Sequence, residues 1–466
     1  MEIAVYCGKV YSWTDEICKY NSGYPILDYN SVVGWVSSRG EGSFLIFGTD
    51  VIPYTLYDYP NKPIDMTEIF KFMERGGTVI WVGDTPFYYV DKNNGVKEAI
   101  FSKGNPFPFV PKNLAHMPVS ENSENTIVGE MLEYNPKDSW RPVEANLSLI
   151  PISIIKRGGG ILYSTWIYKY GKGRFVRVYD SPYVNVNYVL SLPEKLSKLG
   201  IGIRIRNYRK LNDFKMISPN FKIGVILGKN NVGKTSILEA IAMLDKNNVD
   251  KVRAFRGRIS SQVAETELFL NEKYYRVEFS DNTSSRIKDA KVLLIYSHNA
   301  NPTTTFDVSI LRKVTDLLSE FDPNIFYVYL SASNELRVLF NDKTDVSINE
   351  LGYGYKSLLN FILSYAVYQP KIILIDDLEG FALHPKLLKQ FYDFLLRLDV
   401  DLILITTQSS DVYAYLAEKR SDNVRFILIN DGNYEVLSSE EVLDRMDYED
   451  LRYTALKLSG EVHRKS

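Results

Sequence analysis

Cysteine is almost absent from this 466-residue chain, which holds only Cys7 and Cys18. Two thiols exclude a disulfide framework and a four-ligand zinc centre, and they read as isolated structural residues. Histidine is nearly as scarce, with four in all. No apolar run reaches the roughly 18 residues needed to span a bilayer. The opening MEIAVYC enters a strand directly, without the basic segment and apolar stretch of a secretory signal, so a cytoplasmic protein with no membrane partner is expected. Neither sign of charge dominates: 55 Lys and Arg face 57 Asp and Glu, a formal net charge of −2. The balance holds on both sides of residue 200, so neither half is a polycation. With 45% hydrophobic and 24% charged residues the chain can bury real cores, which excludes wholesale disorder.

What is present divides unevenly. All five tryptophans and most of the 19 prolines precede residue 195, which places a domain boundary near SLPEKLSKLGIG and predicts domains at 1–197 and 198–466. In the first, EIAVYC, SFLIFGTD and TVIWVGD alternate with the helix-like IDMTEIFKFMERGG, a pattern of βαβ units and a parallel sheet. A ribbon punctuated by GGG and GKG closes it. In the second, VLLIYS (292–297), KIILIDD (371–377) and DLILITT (401–407) are continuous apolar strands suited to a sheet covered on both faces. The fold class is α/β throughout.

The strongest signal is GKNNVGKT, Gly228–Thr235, which fills G-x-x-x-x-G-K-[ST] between a strand and a helix. Glycines let the backbone curl until its N–H groups and the helix N-terminus face phosphate oxygens. Lys234 places a point charge at the β- and γ-phosphates, and the Thr235 hydroxyl is a Mg²⁺ ligand. Gly228, Asn230, Asn231, Gly233, Lys234, Thr235 and Ser236 are therefore the nucleotide-binding candidates. A carboxylate on a second strand must share the metal, and in KIILIDDLEGFALHP four apolar residues run into Asp376, with Asp377 beside it. Between these motifs lies ELGYGYKSLLNFILSYAVY, where Gly352 and Gly354 precede an apolar-striped helix and make a further anion-binding candidate.

This order of motifs resembles the ATP-binding-cassette-type ATPases of the SMC, RecF and OLD group, also known as AAA ATP-binding proteins. The resemblance covers roughly 201–435 and rests on IRNYRKLNDF, GKNNVGKTSILEAI, LGYGYKSLL, ILIDDLEGFALHP and ITTQSS. It implies an ABC-type P-loop NTPase fold, ATP and Mg²⁺ as cofactors, and an ATP-dependent homodimer in which each signature helix faces the nucleotide of the other subunit. It also implies roles for Asp377, Glu379 and Gln408 in hydrolysis. Asp377 stands where the family commonly has glutamate, Gly352 where it has serine, and Gln408 where relatives often have histidine. Glu379 is the substitute for the shorter Asp377. These departures leave two functions open: an ATPase that couples turnover to DNA or a protein, or a slow nucleotide-gated switch. The RIRNYRK and RAFRGR segments are the candidate nucleic-acid footprint. The stretch after Gln408 is short for the nuclease domain that OLD proteins append, so none is expected.

The first domain resembles the flavodoxin-like, class I glutamine-amidotransferase-like fold, including ThuA-like proteins, on FLIFGTD, FMERGGTVIWVGD and YGKGRFVRVYD. It contains no G-x-C-x-G or G-x-S-x-G, so a non-catalytic domain that senses a metabolite or protein is expected. Cys7 and His116, the one histidine of this domain, make its candidate thiol–imidazole pair, although single thiols in apolar strands are usually inert packing residues. Asp50 and Asp84 follow parallel strands, where α/β sheets bind ligands and where carboxylates also cap turns.

Overall fold

The computed structural model describes residues 1–100, 121–158, 160–297, 307–430 and 432–452. The chain forms two compact units, Met1–Leu199 with Glu272–Tyr274, and Gly200–Asn271 with Tyr275–Ser466.

In the first unit the short apolar segments become β1 (Glu2–Tyr6), β2 (Ile26–Leu27), β3 (Ser43–Phe47) and β4 (Thr78–Trp81), with helix α1 (Glu68–Glu74) leading into the last. The ribbon supplies β5 (Leu149–Arg157), β6 (Gly160–Tyr170) and β7 (Gly173–Arg177). Their order is β2-β1-β3-β4-β7-β6-β5. Pairing is parallel from β2 to β7 and antiparallel through β6 and β5. Aromatic packing explains the tryptophan and tyrosine bias: Trp81 meets Phe47 at 5.0 Å and Phe87 at 5.5 Å, and Phe175 lies against both Phe87 and Trp166. Such pairs add about 0.5–1.5 kcal/mol beyond their buried area.

One expectation fails here. Cys7 and Cys18 are joined as a disulfide, with Cα atoms 5.7 Å apart. Cys7 ends just beyond β1, and the short 3₁₀ turn Glu16–Lys19 folds back over that strand end, so eleven residues of separation close into bonding distance. Neither is a free thiol, which removes Cys7 as a nucleophile; His116 lies outside the described residues.

The second unit opens with an antiparallel sheet containing β8 (Ile201–Tyr208), β9 (Leu211–Ser218), β11 (Ala264–Leu270) and β12 (Lys273–Phe279). Its central sheet contains β10 (Ile223–Leu227), β13 (Val292–Tyr296), β14 (Ile372–Asp376), β15 (Leu402–Thr406), β16 (Val424–Asn430) and β17 (Asn433–Leu437). The order is β13-β14-β15-β10-β16-β17, parallel except at β17. Every residue of β10, β13, β14 and β15 is buried, and the two-residue period divides them between two cores. Val225, Ile295, Ile373, Ile375 and Ile405 join α3 (Tyr353–Tyr368) and α4 (Pro385–Arg397) in one core. Ile226, Leu294, Leu374 and Leu404 join α2 (Lys234–Ala242) and the antiparallel sheet in the other. This two-sided burial is why the strands read as unbroken apolar runs. Among the described residues no helix is long and apolar enough to cross a membrane.

Candidate functional site

Loops leave the C-terminal ends of β10, β14 and β15 together, because these three strands are parallel neighbours in the sheet. The loop after β10 is Gly228–Gly233, closed by α2. Both of its glycines are obligatory. Gly228 has φ 147° and its missing Cβ would lie 2.4 Å from the Ile429 carbonyl, while Gly233 has φ 107° at the helix N-cap. Lys234 folds its ammonium back over the loop, donating to the Gly228 carbonyl at 2.8 Å and the Lys229 carbonyl at 3.0 Å. Burial lowers its pKa, opposed chiefly by Asp377 and then by Glu379 and Asp376. An ammonium held against backbone carbonyls is ready for a stronger acceptor.

The hydroxyl of Thr235 donates to Asp376 Oδ1 at 2.9 Å, and that of Thr406, at the end of β15, donates to the same oxygen at 2.8 Å. Burial pushes the Asp376 carboxyl up to about 6, against the pull of the Thr406 and Thr235 hydrogen bonds. Asp377 sits at φ 54°, a left-handed conformation that is costly for a residue with a Cβ. Its N–H donates to Thr406 Oγ1 at 2.8 Å, which fixes the turn and sets Asp377 in the wall of the cleft. The Thr235 hydroxyl and the Asp376 carboxylate are hard oxygen donors suited to Mg²⁺. Among the described residues no group of three or more His, Cys, Asp or Glu could hold a metal, so further ligands would come from phosphate and water.

The resulting cleft encloses 510 Å³ and is walled by Asn230, Asn231, Gly233, Lys234, Thr235, Ser236, Asp377 and Gln408, together with Arg209, Lys210 and Arg256. Those three cations were not among the sequence-derived site residues, although their segments were singled out as a nucleic-acid footprint. The fold explains both facts. Arg209 and Lys210 form the two-residue turn between β8 and β9, with Tyr208 paired to Leu211, and Arg256 ends a helix that returns to the same place. Arg204 and Arg206 of the same stretch pair with Asp213 and Glu265, so RIRNYRK presents no continuous solvent-facing basic stripe.

Other candidates lie elsewhere. Glu379 does not line this cleft: its two oxygens accept from Thr407 Oγ1 and the Gln408 N–H, each at 2.8 Å, and its side chain borders a neighbouring groove. It anchors the loop that carries Gln408. Gly352 and Gly354 start α3 in a third groove with His384 and Tyr355, apart from the phosphate loop. A Cβ at Gly354 would lie 2.6 Å from the Ala382 carbonyl, whereas nothing stands within 4 Å of one at Gly352. His384 caps α4, its Nδ1 accepting from the Lys386 N–H at 3.4 Å.

In the first unit, Asp50 Oδ1 accepts from the Ser12 N–H at 2.7 Å, and Oδ2 accepts from the Trp13 and Asp84 N–H groups at 2.8 and 3.0 Å. Burial raises its pKa against these three hydrogen bonds. Asp84 accepts from the Ser12 hydroxyl at 3.1 Å and the Thr85 N–H at 2.7 Å. Both carboxylates are consumed in holding loops together.

Comparison with known proteins places these sites in context. Residues 201–332 match a family model described as AAA ATPase domain, and residues 15–118 match one described as MJECL34 family. A curated relative, the uncharacterized protein MJECL34 of Methanocaldococcus jannaschii, is 24% identical over 163 residues, covering 31% of this chain. The chain spans about half, 52%, of that relative's length. Solved structures of similar fold include the SMC head domain from Thermotoga maritima, 14% identical with a TM-score of 0.36, covering 52% of this chain and 98% of that one. Another is cbiO1 from Clostridium perfringens, part of the ABC transporter complex cbiONQ, 14% identical with a TM-score of 0.34, covering 53% and 91%. These are likenesses too loose to assign a function. For the first unit, the family that matches is MJECL34 in place of the amidotransferase-like proteins expected from its strand pattern. The second unit thus carries a region of AAA ATPase type.

Proposed function

We propose that the second unit binds ATP with Mg²⁺ in the cleft around Lys234 and hydrolyses it. The observation that carries this reading is the Thr235 hydroxyl on Asp376 Oδ1 at 2.9 Å, one residue beyond a buried lysine whose ammonium rests on the loop's own carbonyls. It joins the two motifs, 141 residues apart, into one site. Backbone N–H groups at the start of α2 and the charges of Lys234, Arg209, Lys210 and Arg256 match the charge of a triphosphate. Thr235 and Asp376 would hold the metal, which neutralises phosphate charge when bound. Asp377 is the acid that faces Lys234 across the cleft, and it orients the attacking water. Gln408 orients a phosphate oxygen from the end of β15. With both oxygens of Glu379 engaged by the loop, the shorter Asp377 does this work alone, which favours slow turnover and keeps the switch reading in view.

The N-terminus of α3 serves the nucleotide of a second copy. Gly352 is exposed, has open space around its Cα and lies in a groove distinct from the phosphate cleft, as a surface offered outward would. ATP-dependent dimerisation follows, coupled to a protein or DNA partner, with the first unit as the sensor.

The test is the Asp377→Asn variant. Mg-ATP affinity is expected to stay within about threefold of wild type, while phosphate release falls by about 100-fold or more, the usual yield of a positioned base. Sedimentation of this variant should show its mass doubling with Mg-ATP. Unchanged turnover would remove Asp377 from the reaction, and a constant monomer would remove the shared site.

A further inference from the structure

Glu239 lies one turn beyond Thr235 on α2, flanked by the apolar Ile237, Leu238, Ala240 and Ile241, and its side chain is fully buried at 0% exposure. A carboxylate without water must find donors for every lone pair. Four meet it. Oε1 accepts from Arg256 Nε at 2.6 Å and from the Tyr296 hydroxyl at 3.2 Å. Oε2 accepts from the Tyr208 hydroxyl at 3.1 Å and lies 3.2 Å from Arg209 Nε. The donors come from the end of β8, the β8–β9 turn, the end of the helix Val249–Arg256 and the end of β13.

Two features make this more than a buried ion pair. First, both arginines line the phosphate cleft, and both meet Glu239 through the Nε edge, which leaves their terminal nitrogens for another acceptor. Arg209 Nη2 also donates to the Arg258 carbonyl at a long 3.4 Å. Second, the turn that delivers Arg209 is strained: Arg209 has φ 54°. Non-glycine residues hold that conformation when their surroundings over-determine it, and here the ion pair at Glu239 and the Tyr208 ring, 5.1 Å from the guanidinium carbon, do so.

We propose that Glu239 is a positioning residue that sets the Arg209 and Arg256 guanidinium groups against the phosphates bound at Lys234. It acts through those arginines and touches no phosphate itself. Because Glu239 shares α2 with Lys234 and Thr235, the helix that presents its N–H groups to the phosphates also fixes the distance of the two arginines from them. Burial keeps the Tyr208 and Tyr296 hydroxyls protonated, so both remain donors. The inference rests on the nucleotide reading of the cleft.

The test is a cycle of variants in the full chain. Equilibrium binding of Mg-ATP and of inorganic triphosphate would be measured for wild type, Glu239→Gln, Arg209→Ala/Arg256→Ala, and all three substitutions combined. Glu239→Gln is expected to weaken both ligands about tenfold in wild type and to add less than twofold when the arginines are gone. A purely structural role would weaken both backgrounds equally, and that result overturns the proposal. Tyr208→Phe/Tyr296→Phe keeps the charge while removing two donors; a loss of about threefold confined to the arginine-containing background supports it should Glu239→Gln fold poorly, and no loss overturns it. If wild type and Lys234→Ala bind Mg-ATP equally weakly, the nucleotide reading itself has failed. If wild type binds and Glu239→Gln matches it, only the positioning role has.

Discussion

Each unit ends a parallel sheet in a cluster of acids, yet the two clusters are built oppositely. In the first, Asp50 spends both oxygens on three backbone N–H groups, and the fully buried Asp180 accepts from Ser139, Ser164 and the Arg141 N–H. Such a carboxylate is a staple: both of its oxygens are engaged by the chain itself, and it closes its own loops. In the second, Asp376 accepts two hydroxyl hydrogen bonds on a single oxygen, and Lys234 rests on carbonyls that could release it. An acid after a strand is thus no sign of a binding site by itself. What distinguishes the two ends is whether the polar groups are buried and engaged on every oxygen, as at Asp50 and Asp180, or line a cleft where a ligand can outcompete their partners, as at Lys234.

The sharpest way to break this comparison is to delete the central group of each. Lys234→Ala should lower Mg-ATP affinity about a thousandfold, since charge-assisted contacts are worth about 1.5–3 kcal/mol each and the lysine reaches two phosphates. The melting temperature should barely move, because a partly desolvated ammonium contributes little to the fold. Titration calorimetry and a thermal melt on one sample decide it. Asp50→Ala should do the reverse, costing about 3 kcal/mol of stability by stranding three N–H groups, with Mg-ATP affinity per folded molecule unchanged. Were Asp50→Ala to remain stable and lose a ligand, the staple reading of the first unit would be wrong.

Proton linkage sharpens the contrast further. Between its ordinary pKa of 3.8 and about 6, the folded protein holds a proton on Asp376 that the unfolded chain has released. Stability from this group is therefore lost as pH rises through that window and stays lost above it. Asp376→Asn should abolish that slope and stabilise the metal-free protein near pH 7 by about 2 kcal/mol, measured by urea denaturation from pH 4 to 7. A slope unchanged in the variant would mean that Asp376 is not the strained acid.

The two clusters were unequally legible from sequence, and for a physical reason. The phosphate loop, the strand before it and the Asp376 strand follow from local spacing: glycines at required left-handed positions, and runs of apolar residues that fit a sheet buried on both faces. Arg209, Arg256 and Glu239 are brought together by tertiary contacts spanning 30 and 17 residues, and the two arginine segments read as surface charge. One signal was present: Glu239 is a charge in the middle of SILEAIAML, a helix with no exposed face to put it on. Asp50 and Asp84 could not be sorted into staple or ligand, because partners 34 to 72 residues away decide the matter. The Cys7–Cys18 bond was hidden likewise by a turn without a motif. Glu379, placed by sequence among the catalytic acids, lies outside the cleft because its carboxylate is occupied by the β15 loop.

The smallest expected effect falls on that loop. Gln408 is held by its backbone: its N–H is bound to Glu379 Oε1 at 2.8 Å and its carbonyl accepts from Arg452 Nη1 at 3.0 Å. Truncating the side chain therefore leaves the loop in place and removes one hydrogen bond from an uncharged amide to the charged phosphate, worth about 1.5 kcal/mol. Gln408→Ala should lower kcat about tenfold with KM unchanged, because the contact is made in the transition state more than in the bound substrate. Glu379→Ala frees the backbone instead, and should raise KM while lowering kcat, since a displaced loop misplaces whatever it presents. Steady-state phosphate release on the two variants separates these cases. If Gln408→Ala raises KM as much as it lowers kcat, the glutamine grips the ground-state nucleotide; if Glu379→Ala abolishes turnover with KM intact, Glu379 is the reacting acid, and the division of labour with Asp377 is reversed.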